Sequence, residues 1–317
     1  MSNFCSFVMG TSSSLFNQLI MQLGSSGLGA PLRKLVQGVL TTLSNDQDDI
    51  ANYAPNPFFG VYPESNPTAY TRNLTLVDGG EDLQNIPLHP LIQPPRKVDV
   101  IFAFDNSADT LNNDGSTSNW PNGTALVASY ERARNGAIAN GTLFPPVPDT
   151  NTFVNLGLNR RPTFFGCQGS NTTRDHPDGV VPPLLVYIPN TPWSFTSNTS
   201  TTQMAYSHSQ RDKMINNGYN IASQGNGTLA SGWPACIGCA IIHREIERRN
   251  ATHTEQCRNC LANYCWNGTV MASRPPEYKP ALLLKTSEAG RAFAAANGVA
   301  FLAAAATLLT MGLMTGL

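Results

Sequence analysis

The sequence predicts an α/β fold with a mostly parallel sheet and long surface loops. Apolar stripes at helical spacing open the chain, short apolar runs suited to strands follow, and the connections between those runs are too long for hairpins. Residues 11–23 read as a helix, with Ser12 to Ser14 available to cap it and Leu15, Leu19 and Leu23 recurring every four residues. Pro31 starts a second helix, on which Leu32, Leu35, Val36, Val39, Leu40 and Leu43 form one apolar stripe. After a loop rich in Pro and Asn, residues 73–77 form a short strand that runs into Asp78, Gly79 and Gly80. Residues 98–104 are almost continuously apolar, the pattern of a strand buried on both faces. From 106 to 207 the chain is rich in Asn, Gly, Pro, Ser and Thr. Long loops are expected there, with a helix near 124–135 and a strand at 184–188. Residues 210–222 and 235–249 read as helices.

Composition bounds the function. A hydrophobic fraction of 41% supports a sizeable core, and a charged fraction of 13% is low for a cytosolic protein. A net charge of −1 and the lack of a Lys/Arg-rich run argue against a nucleic-acid partner. Asn73, Asn122, Asn140, Asn171, Asn198, Asn226, Asn250 and Asn267 each stand two residues before Ser or Thr, as glycosylation acceptors do. Polar loops that happen to fit the pattern are the alternative. The last 19 residues, 299–317, carry no charge, and no Lys or Arg follows them. A helix of that length crosses a hydrocarbon core of ~30 Å. With the small residues Ser287, Ala289 and Gly290 upstream, the order matches a glycosylphosphatidylinositol attachment signal, with lipid joined at Ser287 or Gly290. An ordinary anchor or a buried Ala-rich helix stays open. These features belong to the secretory pathway, and the chain is expected outside the cell, in the wall or at the plasma membrane. The first twenty residues show no signal peptide, which is expected if the natural N-terminus lies further upstream.

Seven cysteines divide into a cluster and two outliers. Cys236, Cys239, Cys257, Cys260 and Cys265 lie together, while Cys5 and Cys167 stand apart. Two Cys-x-x-Cys pairs 17 residues apart fit a four-thiolate zinc site, with His243 and His253 as further ligands. In an oxidising compartment the same spacing reads as disulfides, and the sequons and tail favour that reading. Cys167, Cys236, Cys239, Cys257, Cys260 and Cys265 are the disulfide candidates, with connectivity open. The odd cysteine is expected to pair beyond this chain. No cofactor is implied.

Asp78 is the residue that points to chemistry. A carboxylate at the carboxyl end of a strand, on a turn of two glycines that leave it uncrowded, is placed to act in an open α/β sheet. Residues 76–92, 98–105 and 107–109 closely resemble the fungal lysophospholipase (phospholipase B) family, which is related to the catalytic domain of cytosolic phospholipase A2. Residues 7–17, 53–58, 211–212, 217–220, 224–228, 233–240 and 264–269 also match, so the resemblance spans roughly 7 to 270. It implies the C-terminal portion of a patatin/cytosolic phospholipase A2-like domain over residues 1–285, including the Cys-rich stretch 233–269. The attachment signal read from the tail's composition occupies 286–317. The resemblance also implies a carboxylic-ester hydrolase that releases fatty acid from lysophospholipid or phospholipid at a membrane or micelle surface. In that family a Ser–Asp dyad works without histidine, and Asp78 matches its Asp, held by Gly79 and Gly80. The family's Gly-x-Ser-Gly elbow and Gly-rich oxyanion stretch are not found here. The nearest similar run, residues 24–27, follows a helix-like segment in place of a strand. The chain alone is therefore expected to be inactive, and a non-catalytic surface glycoprotein or a zinc-binding module remain as alternatives. His89 is expected to pack in its loop, Asp105 and Asp109 to cap or orient loops, and Glu81 and Asp82 to support the turn or acidify the site entrance.

Overall fold

A computed structural model describes residues 51–76, 79–136, 138–168, 181–200, 203 and 205–284. The two expected helices before residue 50, Asp78, and the 299–317 tail lie outside the described residues. The chain divides into two units, 1–84 and 85–317.

In the first unit, β1 (Ala51–Tyr53) pairs antiparallel with β2 (Leu74–Leu76), Asn52 opposite Thr75. The strand leading to Asp78 thus belongs to a two-stranded antiparallel ribbon, where the sequence pointed to a parallel sheet. The loop between the strands is closed by Asn56, whose buried side chain donates to the carbonyls of Thr68 and Thr71, each at 2.8 Å. Gly79–Asp82 forms a short 3-10 turn. Gln84 N–H closes it onto the Gly79 carbonyl at 2.8 Å, and a Cβ on Gly79 would stand 3.2 Å from the Gln84 oxygen.

In the second unit, β3 (Val100–Asp105), β4 (Thr163–Phe165) and β5 (Leu184–Pro189) form a sheet in the order β3-β5-β4. β3 runs parallel to β5 and β4 antiparallel to it, so the sheet is mixed where a mostly parallel one was expected. All six residues of β5 are buried, because it is central and covered on both faces. β3 is not buried on both faces as its composition predicted. Ile101, Ala103 and Asp105 face inward, and Phe104 is 50% exposed.

The strand period of two sorts β5 between two cores. Leu184, Val186 and Ile188 pack with Phe164 against one helical layer, while Leu185 and Tyr187 pack with Phe165 in the other. The second layer contains α1 (Thr124–Arg134) and α2 (Thr150–Asn155). Gly123 takes the left-handed conformation ahead of α1, φ 84°, and any Cβ there would meet the buried Phe153 ring at 2.7 Å. The Asp149 side chain caps α2 by accepting from Thr152 N–H at 3.0 Å.

The first layer is built from α3 (His208–Ser223), α4 (Trp233–Arg248) and α5 (Glu255–Tyr264). Cys236, Cys239, Ala240 and His243 recur at steps of three and four, which places them along one buried face of α4. Disulfides join Cys236 to Cys260 and Cys239 to Cys257, so the two Cys-x-x-Cys turns face each other on antiparallel helices. Cys167–Cys265 ties the segment after β4 to the end of α5. With these six sulfurs paired, no thiolate of the cluster is left for the zinc alternative. α2, β4 and α5 were not anticipated from the sequence. Among the described residues, no helix is long and apolar enough to cross a membrane.

Candidate active site

The parallel pair directs attention to the carboxyl ends of β3 and β5, where open α/β sheets place their crevices. Asp105 closes β3 and is buried there. Its Oδ2 accepts from the Tyr187 hydroxyl at 2.8 Å, and its Oδ1 from the Ser107 N–H at 2.9 Å. Burial, and then the charge of Asp105, raise the Tyr187 phenol well above its usual range, so it remains a donor. Asn190 N–H donates to the Asp105 carbonyl at 2.7 Å, continuing the ladder past Pro189. Asn85 Nδ2 donates to Ser107 Oγ at 3.1 Å. Asp105 orients the loop that leaves β3, the role expected of it.

A recess of about 390 Å³ opens beside this turn, lined by Asn85, Phe104, Asn106, Ser107, Thr199 and Tyr206 among others. Asn106 and Thr199 also border a second recess of about 150 Å³, with Asn119, Asn190, Ser197 and Met214. Amides and hydroxyls dominate both walls, so they suit neutral polar groups, and the exposed Phe104 adds an apolar wall to the larger one. The far wall is held by α3. Buried Asn217 accepts from Ser194 and Phe195 N–H at 2.9 and 3.2 Å, and donates to the Thr191 carbonyl and Ser197 Oγ, both at 2.9 Å. One side chain thereby fixes the loop after β5.

Asp109 lies further along the turn. Burial first, and the Asp105 charge second, push its carboxyl up to about 7 against the opposing Asn122 N–H. It borders a third recess, about 310 Å³, with Asn122, Arg274, Glu277 and Tyr278.

The residues that the sequence singled out are spread over both units. Asp78 lies outside the described residues, and Gly79 and Gly80 begin the 3-10 turn. Asp82 accepts from Gln84 Nε2 at 3.0 Å, supporting that turn. His89 sets a ring nitrogen 3.0 Å from Gln93 Nε2, a loop contact. Of the sequons, Asn73, Asn140, Asn226, Asn250 and Asn267 are exposed, Asn122 and Asn198 are half-buried, and Asn171 lies outside the described residues. The Tyr187–Asp105 pair and the amide wall were missed at the sequence level. The available signal was Asn190-Thr191 directly after an apolar run, the position of a strand's carboxyl end.

A model of the lysophospholipase catalytic domain matches residues 3–271. Lysophospholipase 3 of Aspergillus fumigatus is 50% identical over 312 residues, covering 98% of this chain and 47% of that protein. A lysophospholipase of Penicillium chrysogenum is 52% identical over 279 residues, 88% of this chain and 44% of the relative. One from Kluyveromyces lactis is 50% identical over 275 residues, 85% and 41% of the two. The chain spans about half the length of the relatives it matches. No solved structure matches it.

Proposed function

The chain belongs to the lysophospholipase catalytic-domain family, and on that premise we propose that it carries the Asp of a Ser–Asp dyad that hydrolyses lysophospholipid esters. The observation that carries this reading is the run of about half-identical residues along 85–98% of the chain, with Asp78-Gly79-Gly80 inside the matched region. The fold is read as part of a patatin/cytosolic phospholipase A2-like domain, which the parallel β3–β5 pair supports.

A serine hydroxyl at its free pKa is a weak nucleophile and needs a base. Asp78 takes the serine proton as Oγ attacks the acyl carbonyl. The same carboxyl returns that proton to the departing glycerophospho-alcohol, leaving an acyl-enzyme. Water then gives its proton to Asp78 as it attacks, and the fatty acid leaves as the serine is reprotonated. On this reading the serine and the oxyanion donors come from the part of the family's length that this chain does not span. The acyl ester is taken from a membrane or micelle. Sequon density and the apolar tail support an extracytoplasmic, glycosylated protein, lipid-anchored at Ser287 or Gly290.

The 317-residue chain alone is expected to release no fatty acid from lysophosphatidylcholine, and turnover above a mock purification would overturn this division of the dyad. In a chain extended upstream to include the serine, Asp78→Asn should lower kcat by at least about a thousandfold with secretion unchanged. Near-normal turnover in that variant removes Asp78 from the mechanism.

A further inference from the structure

The loop between β1 and β2 shows an exposed aromatic face. Phe58, Phe59 and Val61 project from one of its turns, Tyr62 is 76% exposed, and Tyr70 is 73% exposed. They form one patch. Gly60 N–H donates to the Ala69 carbonyl at 2.9 Å, bringing the two limbs together, and Tyr70 hydroxyl reaches the Pro63 carbonyl at 3.2 Å. Clustered exposed apolar side chains mark interaction surfaces on soluble domains.

The backbone beneath the patch is closed on itself. Phe58 N–H donates to Asn56 Oδ1 at 2.8 Å, Phe59 N–H to the Asn56 carbonyl at 3.2 Å, and Val61 N–H to the Phe58 carbonyl at 3.0 Å. Asn66 Nδ2 donates to the Val61 carbonyl at 3.1 Å. Residues 55, 57, 63 and 67 are prolines and have no N–H to satisfy. An irregular loop enters hydrocarbon at least cost where its polar backbone is already bonded, and here the N–H groups of Phe58, Phe59, Gly60 and Val61 are. Across residues 54–72 the charges are one acid, Glu64, and one base, Arg72, whose guanidinium lies 5.0 Å from the centre of the Phe59 ring, so the loop carries no net charge. Phe with Tyr is the composition that settles at the boundary between headgroups and acyl chains, with rings below and hydroxyls in water.

We propose that the 54–72 loop is an interfacial anchor that seats the protein on a zwitterionic lipid surface through Phe58, Phe59, Val61, Tyr62 and Tyr70. The choice of lipid as the partner rests on the hydrolase reading above, whose substrates are gathered in such surfaces. A protein partner or a second copy of the chain are the other occupants that the test separates.

The test is co-sedimentation of the full chain with vesicles of ether-linked phosphatidylcholine, which contains no ester to cleave. Binding and turnover are thereby read separately, so a failed anchor leaves the hydrolase reading standing, and an inactive enzyme leaves the anchor standing. The expected result is partition that is insensitive to salt and falls at least about tenfold in the Phe58→Ser/Phe59→Ser/Tyr62→Ser variant. A second variant, Phe58→Trp, should show a blue-shifted, quencher-protected emission on adding vesicles. Equal partition of triple variant and wild type overturns the proposal, as does an emission from the Phe58→Trp variant that vesicles leave unchanged. A wild-type dimer that the triple variant splits, without vesicle binding by either, assigns the patch to a second copy and overturns it too. Binding abolished by salt assigns the attraction to charges elsewhere on the protein and likewise overturns the anchor.

Discussion

At the scale of the residue, Asp109 shows how position changes a common side chain. Its carboxyl is held up to about 7 by burial and by the charge of Asp105, against an unfolded value near 3.9. A raised carboxyl favours the neutral form in the folded chain. The stability this contributes is fully present below about pH 4 and lost as pH rises through about 7. At pH 8 the ionised group is therefore a liability that Asp109→Asn removes. The variant should gain about 1–2 kcal/mol over the parent at pH 8, after discounting for partial exposure, and lose most of that advantage at pH 5. Urea unfolding of both proteins at the two pH values checks this, and an advantage independent of pH would show that the carboxyl is not held neutral. The sequence displayed Asp105 and Asp109 only as loop residues. What separates them is their partners: Asp105 has the Tyr187 hydroxyl and the Ser107 N–H, while Asp109 Oδ2 is buried with no hydrogen-bond partner among the described residues.

At the scale of the element, α4 and α5 show one pattern read with two outcomes. Two Cys-x-x-Cys turns fit zinc or disulfides equally by spacing, and even facing each other they could hold either. The direct sulfur-to-sulfur pairing of Cys236 with Cys260 and Cys239 with Cys257 decides for disulfides. The Thr254 hydroxyl caps α5, accepting from Cys257 N–H at 3.3 Å. That helix escaped the sequence reading because its buried face is carried by two cysteines in an otherwise polar run. β4 escaped it because three residues are too few to show a period. Thiol titration of the denatured, unreduced chain should find one free thiol among seven cysteines. Four or more would restore the zinc alternative. Removing the Cys239–Cys257 bridge as a double Ser variant should cost about 3 kcal/mol, since it closes a loop of 18 residues. Buried His243 in the same helix adds a pH effect of opposite sign to that of Asp109. Burial lowers its pKa against the pull of Glu247, so its contribution is present above about 6.5 and fades on acidification.

At the scale of the whole molecule, the sequons divide by what the tertiary structure does with each amide. Asn140, Asn226, Asn250 and Asn267 lie exposed, each at or beside a residue of positive φ, as turns require. Asn198 instead donates through Nδ2 to the Ser118 carbonyl at 2.9 Å, across 80 residues of chain, and that nitrogen is the atom a glycan would occupy. Expression through a secretory host should therefore give glycans on the four exposed turns and little or none on Asn198, as peptide mapping would show. Full occupancy at Asn198 would mean that modification precedes the Ser118 contact and prevents it.

Order of residues along the chain was enough to establish the family, through motifs spread from end to end, and the strands at 98–104 and 184–188, because continuous apolar runs have few alternatives to a buried strand. It was also enough for three helices of the second unit to within a few residues, since cap chemistry and apolar spacing are local. Three further features exist only in the folded chain. β3 bares Phe104 while β5 is buried on both faces, β2 lies in an antiparallel ribbon, and each of the six cysteines among the described residues meets one particular partner. The reason is common to all three. Burial, strand direction and disulfide partners depend on neighbours far away in the chain, and a periodic pattern records only that a face is apolar, not what covers it.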